Sequence, residues 1–502
     1  MRFPVKKTFA AILGLSILAG TASAADAVLF EIREFKIDAT QDIGAVQDVL
    51  RGYVGSQKNF RDVMGAIDAL KAHYAQAGAD VAISLPPEQD ITDGVIRLRV
   101  TSAEDRKRLR EVHDRGHIRE AFPSLKEGQM VNLVEMRMST ALFNENPYRA
   151  TFIEYATSNE GTDVALGIEQ KRKPVVFIAA LDNSGVRSTG RERLTLSVQK
   201  MDLPGDALAG ATFVVSPQKP DSVNVFMVRY KTPLYSQYAS IEVYAARSSS
   251  DAGVVGDFFS VSGKGYIYGG KYVRYLPSES EGVTQQVSVG LEQRDYINSV
   301  TIPGSPLSLV PDYTIQPLTV GYGLRNNAGW GVSSSLTHGM YGGDLGVIRA
   351  GAASGYNILK ANGDYAFAVT DGVSLEVSGS AQYTGDLLVS SEQFGVGGTA
   401  SVRGLNEREL SGDNGVRVSA ELRKMVAKSV VASVFADSAR AWRNSPLPGE
   451  MASSGAAGIG VGLRYFWKDS ITATAELAHV LRGDGETKRG ASRVLATLTY
   501  SF

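Results

Sequence analysis

From Val175 to Phe502 the chain alternates polar and apolar residues in segment after segment, and this period of two constrains the fold more than any other feature. In the segment from Val373, residues Val373, Leu375, Val377, Ala381 and Tyr383 share one face, and Ser374, Glu376, Ser378, Ser380 and Gln382 the other. A later segment sets Val416, Val418, Ala420 and Leu422 against Arg417, Ser419, Glu421 and Arg423. The last sets Val494, Ala496, Leu498, Tyr500 and Phe502 against Arg493, Thr497, Thr499 and Ser501. Such segments recur near 175–182, 190–201, 207–216, 222–232, 238–247, 264–276, 283–294, 314–325, 328–338, 357–370, 372–384, 415–425, 429–441, 456–467, 470–482 and 491–502. Gly, Asn, Asp and Ser separate them, and the pattern predicts about sixteen antiparallel strands, an even number as single-chain bacterial barrels have. Polar faces repeated through every strand imply a hydrated interior inside an apolar exterior, which is a transmembrane barrel and not a packed sandwich.

The connections carry a second regularity. Every other one is short: Leu203-Pro-Gly-Asp206, Thr232-Pro-Leu-Tyr235, Arg325-Asn-Asn-Ala328, Thr370-Asp-Gly372, Val426-Ala-Lys428 and Trp467-Lys-Asp469. The alternate set is mostly longer, including 295–313, 339–356 and 385–414. Short turns at one rim and long loops at the other are a barrel property, and a sandwich has no reason to keep this parity. Cysteine is absent, which excludes disulfides, thiolate metal sites and cysteine nucleophiles. A formal net charge of −1 gives no electrostatic case for nucleic-acid binding.

The start of the chain has a different grammar. Arg2, Lys6 and Lys7, an apolar run from Thr8 to Gly20 and Ala22-Ser23-Ala24 predict a secretory leader over 1–24, too short to be a membrane-spanning helix. Residues 26–101 read as a small α+β module. A strand is expected over Leu29–Ile37, with Leu29, Glu31, Arg33, Phe35 and Ile37 on one side. A helix follows, capped by Asn59, carrying Phe60, Val63, Met64, Ile67, Leu70, Tyr74 and Ala77 at helical spacing and stopping at Gly78. Strands are expected at 80–85 and 94–100. Residues 102–173 repeat the theme: a charged segment 104–113, a strand near 117–121, a helix over 131–143 ended by Asn144-Glu-Asn-Pro147, and strands at 149–155 and 162–170. Lys171-Arg172-Lys173-Pro174 marks the boundary to the barrel, 174–502.

With Leu85-Pro-Pro-Glu-Gln-Asp-Ile-Thr-Asp-Gly94 in the first module and Phe143-Asn-Glu-Asn-Pro147 in the second, the pair resembles POTRA domains, periplasmic modules that precede certain outer-membrane barrels. In the long loop 385–414, Val402-Arg403-Gly404-Leu405 resembles the VRG(Y/F) tip that folds into the lumen in that superfamily. Gly397-Gly398, Ser401 and Leu410-Ser-Gly412-Asp413-Asn414-Gly415 resemble its two-partner secretion branch, the haemolysin secretion/activation (TpsB-type) transporters. Gly412 to Gly415 also have turn composition and are read as a loop turn. The fold this implies is two small α+β POTRA-like modules followed by an all-β transmembrane barrel of about 16 antiparallel strands.

An arginine in a barrel lumen needs a fixed carboxylate, because a desolvated unpaired charge is costly. Phe435-Ala-Asp437-Ser-Ala439 resembles the family's F-x-D-x-G strand motif, and the resemblance makes Asp437 the receiver of Arg403; Glu421 is a second candidate on the preceding strand. Leu405 stands where the family has an aromatic residue and Ala439 where it has glycine. The first module begins so close to the predicted cleavage site that a plug helix is not expected, and the loop would have to close the pore. Phe502 resembles the C-terminal signal for barrel insertion.

These resemblances imply an outer-membrane pore that takes a secreted partner of adhesin, haemolysin or toxin type from the periplasm to the cell surface. They also imply contact with outer-membrane lipid and with the barrel assembly machinery, and no cofactor. The alternative is a barrel-assembly or surface-export factor of the same superfamily, whose members usually carry more POTRA modules. A diffusion porin does not explain the modules, and five histidines offer no nucleophile and base that can be assembled. His113 and His117 lie four apart but flank Gly116 without a third ligand, which reads as a solvated charged segment and not a metal site.

Overall fold

The computed structural model describes residues 30–39, 46–76, 81–84, 94–102, 108–112, 118–124, 132–158, 161–170, 173–187, 189–249, 253–255, 259–261, 264–280, 282–297, 311–370 and 372–502. The expected leader, Gly78, residues 85–93, His113, His117 and Lys171-Arg172 lie outside them.

The N-terminal unit starts with β1 (Phe30–Ile32), β2 (Glu34–Ala39), α1 (Val46–Leu50), β3 (Gly55–Lys58), α2 (Phe60–Gln76), β4 (Val81–Ser84) and β5 (Val95–Ser102). β2 runs parallel to β5 and β4 pairs antiparallel on its other side, giving the order β2-β5-β4. The apolar stripe of α2, Val63, Ala66, Ile67, Leu70 and Tyr74, shares one buried core with Phe35, Ile83, Ile96, Leu98 and Val100. Asn59 caps α2 reciprocally: its side chain accepts from the Asp62 N–H at 3.2 Å, and the Asp62 carboxylate accepts from the Asn59 N–H at 2.8 Å.

The expected single face through Glu31, Arg33 and Phe35 needs correction. The strand breaks at Arg33, whose N–H donates to the Gly94 carbonyl at 2.7 Å, and the buried positions therefore step from Ile32 to Phe35.

β6 (Arg108–Val112), α3 (Ile118–Ala121), α4 (Leu133–Phe143), β7 (Arg149–Ser158) and β8 (Gly161–Gln170) repeat the same arrangement, with β6 parallel and β7 antiparallel to β8. The strand expected near 117–121 is instead the helical turn α3. β6, in the charged segment upstream, already occupies the ladder position beside β8, so 118–121 has no strand to join. Asn132 caps α4, its side chain accepting from Val134 and Glu135 N–H at 3.0 and 3.3 Å.

The rest of the chain is a closed antiparallel barrel. Its strands begin with β9 (Val175–Asp182), β10 (Arg193–Leu203), β11 (Ala207–Val215), β12 (Asn224–Leu234) and β13 (Ala239–Ser248); a small hairpin, β14 (Gly253–Val255) and β15 (Phe259–Val261), stands apart from the ladder. The wall resumes with β16 (Gly265–Leu276), β17 (Val283–Tyr296), β18 (Tyr313–Asn326), β19 (Trp330–Tyr341), β20 (Asn357–Thr370) and β21 (Val373–Tyr383). A second inner hairpin, β22 (Phe394–Val396) with β23 (Leu410–Gly412), precedes β24 (Asn414–Ala427), β25 (Val430–Trp442), β26 (Ser453–Trp467), β27 (Ile471–Gly483) and β28 (Ser492–Ser501). β28 returns to β9, so the sixteen-strand expectation holds.

The expected parity also holds. At one rim the longest connection is 277–282, and at the other the spans run from 216–223 up to 384–413. Leu196, Val228, Leu291, Leu336, Leu463 and Leu477 point outward and stay exposed, whereas Glu376, Gln382 and Asp437 point inward and are buried. The interior is not uniformly polar. Val214, Val225, Met227, Ala246 and Ile267, on adjacent strands from β11 to β16, form a buried apolar cluster on the inner face.

Candidate functional site

The loop between β21 and β24 folds as a hairpin whose stem is β22–β23, with Phe394 opposite Gly412 and Val396 opposite Leu410. Gly397 and Gly398 open its tip at φ of 114° and 94°, and Gly404 has φ of 102°, a region that side chains other than glycine rarely adopt. A Cβ on Gly404 would also stand 2.9 Å from Val480 Cγ2. Val402 and Leu405 are buried with Val396 and Leu410 against Ala439, Ala441, Ala456 and Val480 of the wall. Small wall residues therefore make the seat: Leu405 fills it without an aromatic ring, and Ala439 lines it without being glycine.

Arg403 is 7% exposed. Its Nε donates to Asp437 Oδ2 at 2.8 Å and its Nη2 to Asp437 Oδ1 at 3.0 Å, a bidentate fork, while its backbone N–H reaches Oδ2 at 3.1 Å. Nη1 donates to Glu421 Oε2 at 2.9 Å and to Glu476 Oε1 at 3.1 Å. The guanidinium carbon lies 3.3 Å from the centroid of the Phe435 ring. Ser419 Oγ donates to Asp437 Oδ1 at 2.7 Å, and Arg423 Nε donates to Glu421 Oε1 at 2.9 Å, so both carboxylates are held from behind. Asp437, Phe435 and Glu421 thus meet Arg403 in one place.

Glu476, Ser419 and Arg423 complete the site, and sequence reasoning missed them. So it did the glycines of β26. A Cβ at Gly460 would stand 2.2 Å from the Phe435 ring, and one at Gly458 would stand 3.0 Å from the Arg403 carbonyl oxygen. The signal was present: Gly458, Gly460 and Gly462 occupy successive inward positions, an unusual run in a strand interior.

The expected turn Gly412, Asp413, Asn414 and Gly415 needs correction. Asp413 and Asn414 are fully buried and neither glycine has positive φ. The glycines are there for close approach: a Cβ at Gly412 would stand 2.7 Å from the Trp442 backbone nitrogen, and one at Gly415 would stand 2.0 Å from the Phe394 ring. The Asp413 carboxylate accepts from Arg349, from Leu388 N–H at 3.0 Å, from Gln393 Nε2 at 3.2 Å and from Asn444 N–H at 3.0 Å. It ties the ends of the inner loop to two neighbouring loops. On the opposite side, Arg294 of β17 donates to Glu392 of the loop at 2.6 Å.

Phe502 closes the far rim of the seam. Its backbone exchanges two hydrogen bonds of 3.0 Å with Phe177, and the two rings stack at 5.4 Å.

Comparison with known proteins bears on what this site serves. The profile of the family described as haemolysin secretion/activation protein ShlB/FhaC/HecB matches residues 160–465, and that of the ShlB-type POTRA domain matches residues 30–102. The chain is 23% identical over 421 residues to the outer membrane transporter CdiB of Dickeya dadantii (strain 3937), covering 77% of this chain and 71% of that protein. It is 24% identical over 398 residues to the protein of that name in Escherichia coli O6:K15:H31 (strain 536 / UPEC), covering 74% of this chain and 64% of that one. Among solved structures, CdiB from Escherichia coli superimposes with a TM-score of 0.64 at 19% identity, over 96% of this chain and 92% of that one. CdiB from Acinetobacter baumannii does so with a TM-score of 0.58 at 15% identity, over 100% and 93%.

Proposed function

We propose, for a chain that belongs to the haemolysin secretion/activation protein family and is an outer-membrane transporter of two-partner secretion, that the inner loop is the element that holds the pore closed and must yield when a partner passes. The observation that carries this reading is the seat of Arg403: three carboxylates and an aromatic face converge on one guanidinium at the tip of a loop that no ladder hydrogen bond fastens to the wall. A buried charge held this way is a registry device, since polar contacts of this density fix one position and release as a unit.

Residues 26–101 and 102–173 serve, in this proposal, as two POTRA modules on the periplasmic side, the second by its repeated topology. Each has a three-stranded sheet among the described residues, and an extended partner adds at its edge as a further strand. The partner is an exoprotein of the adhesin, haemolysin or toxin type, threaded unfolded, with its folding outside supplying direction. The outward leucines and valines contact outer-membrane lipid, and Phe502, with Phe177, is read by the barrel assembly machinery.

Deleting residues 26 to 101 tests the capture role. The barrel should still insert and still migrate differently before and after boiling, while the partner accumulates in the periplasm. Undiminished export by the truncated protein would remove the module from the mechanism.

A further inference from the structure

The ladder that closes the barrel is short. β28 and β9 pair over five residues, from Thr497 opposite Asp182 to Ser501 opposite Ile178, whereas β28 pairs with β27 over nine and β9 with β10 over eight. Above Thr497, half of β28 has no strand on its β9 side. Two side chains take that place. Asn183 donates its backbone N–H to the Ala496 carbonyl at 3.3 Å; its side-chain oxygen accepts from the Ala496 N–H at 2.9 Å, and its amide nitrogen donates to the Val494 carbonyl at 2.9 Å. The primary amide thus makes the bonds that the next peptide of β9 would have made.

Arg493 continues the closure and reaches further. Its Nη2 donates to the carbonyls of Asn183, Ser184 and Gly185 at 3.0, 3.0 and 2.7 Å. Its Nη1 donates to the Leu405 carbonyl and to Asn406 Oδ1, both at 3.3 Å, at the tip of the inner loop. The segment that carries these carbonyls is itself tied back: Gly185 N–H donates to the Arg191 carbonyl at 2.9 Å, and Arg193 Nη1 donates to the Gly190 carbonyl at 2.7 Å. One rigid planar group therefore has the loop tip on one nitrogen and the seam on the other.

We infer that Arg493 is a positioning residue that couples the seated inner loop to closure of the outer half of the β9–β28 seam. When the loop leaves, Nη1 loses both acceptors, the guanidinium is no longer fixed from two sides, and the carbonyls of 183–185 lose their anchored donor. Coupling of this kind is reciprocal, so loosening the seam must also loosen the loop. The inference concerns the resting molecule and does not depend on which partner is exported.

Amide hydrogen exchange on the full-length protein in lipid nanodiscs tests it, comparing the wild type with Arg403→Ala, Asn183→Ala, Arg493→Gln and the double variant Arg403→Ala/Arg493→Gln. Arg403→Ala touches no seam residue, yet exchange at Asn183 and Ala496 should rise by about tenfold or more, while Phe177 and Phe502, at the inner end, stay as they were. Asn183→Ala touches no loop residue, yet exchange at Arg403 and Leu405 should rise. The double variant should exceed Arg493→Gln little at the seam. If Arg403→Ala leaves the outer seam unchanged, or Asn183→Ala leaves the loop tip unchanged, Arg493 is only a local brace and the coupling is refuted. These two variants decide the question even where Arg493→Gln fails to fold.

Discussion

Replacing Arg403 with alanine removes four side-chain hydrogen bonds, two to Asp437 and one each to Glu421 and Glu476, together with the contact over Phe435. Asp437, 3% exposed, then keeps only Ser419 and the residue-403 N–H as donors. Stripping one partner from a buried ion pair costs about 3–5 kcal/mol, much of it the penalty on the charge left behind. None of those bonds belongs to the barrel ladder, so the loss falls on the seated loop relative to the released one. That corresponds to a shift of roughly a hundredfold to several thousandfold in their ratio. The expected outcome is a barrel that inserts and shifts on boiling as the wild type does, with larger and noisier conductance in planar bilayers and a loop open to protease. Asp437→Ala should do the same. The double change Arg403→Ala/Asp437→Ala should cost less than the sum of the two, because no unpaired carboxylate remains. The exchange Arg403→Asp/Asp437→Arg should recover more closed-state conductance than either single change, but not all of it, since Glu421 and Glu476 would face the new loop carboxylate as like charges. Additive losses in this cycle, or closed-state conductance unchanged by Arg403→Ala, would refute the anchor.

Further substitutions probe the frame around the loop and the two faces of the wall. Asp413→Ala deprives Arg349, Leu388, Gln393 and Asn444 of a shared buried acceptor, and should loosen the loop ends by about 3–5 kcal/mol, read as faster proteolysis within 384–393, with Asp413→Asn milder. Val461→Arg puts a charge on the outward face midway along β26 and should cost about 2–4 kcal/mol in urea titrations of folding into vesicles, read by the boiling shift. Ser378→Arg, on the inward face, should change the same titration by only about 0.5 kcal/mol; equal costs would mean that the faces are misassigned.

The barrel was legible because its information is local and repeated. Each strand states its own inward and outward faces, and an error in one segment leaves the others standing, as the agreement at 175–182 and 357–370 illustrates. The N-terminal unit was less so. One residue's break at Arg33 shifts the phase of a short strand, and the ladder position that makes β6 a strand and 118–121 a helix is set by a partner fifty residues away. Within the site, Arg403 and Asp437 stood out through resemblance to a known motif. Glu476 and Ser419 did not, because most inward positions of a hydrated barrel are polar, and nothing local separates a partner from a wall residue. Gly412 to Gly415 misled for a related reason. The residues that favour turns are also those that fit a tight polar junction, and only distant partners such as Arg349 and Asn444 distinguish the two.

The central claim, that a partner protein crosses through the lumen of this barrel, is tested most directly by photo-crosslinking during export. A photoreactive residue is placed in turn at the inward positions Ser378 and Ser380 and the outward positions Leu375 and Val377 of β21, and a partner carrying a folded block is stalled in transit. Crosslinks to the stalled partner from 378 and 380 and none from 375 and 377 are the predicted result. Crosslinks from the outward pair, or a stalled partner that labels neither, would contradict passage through the lumen.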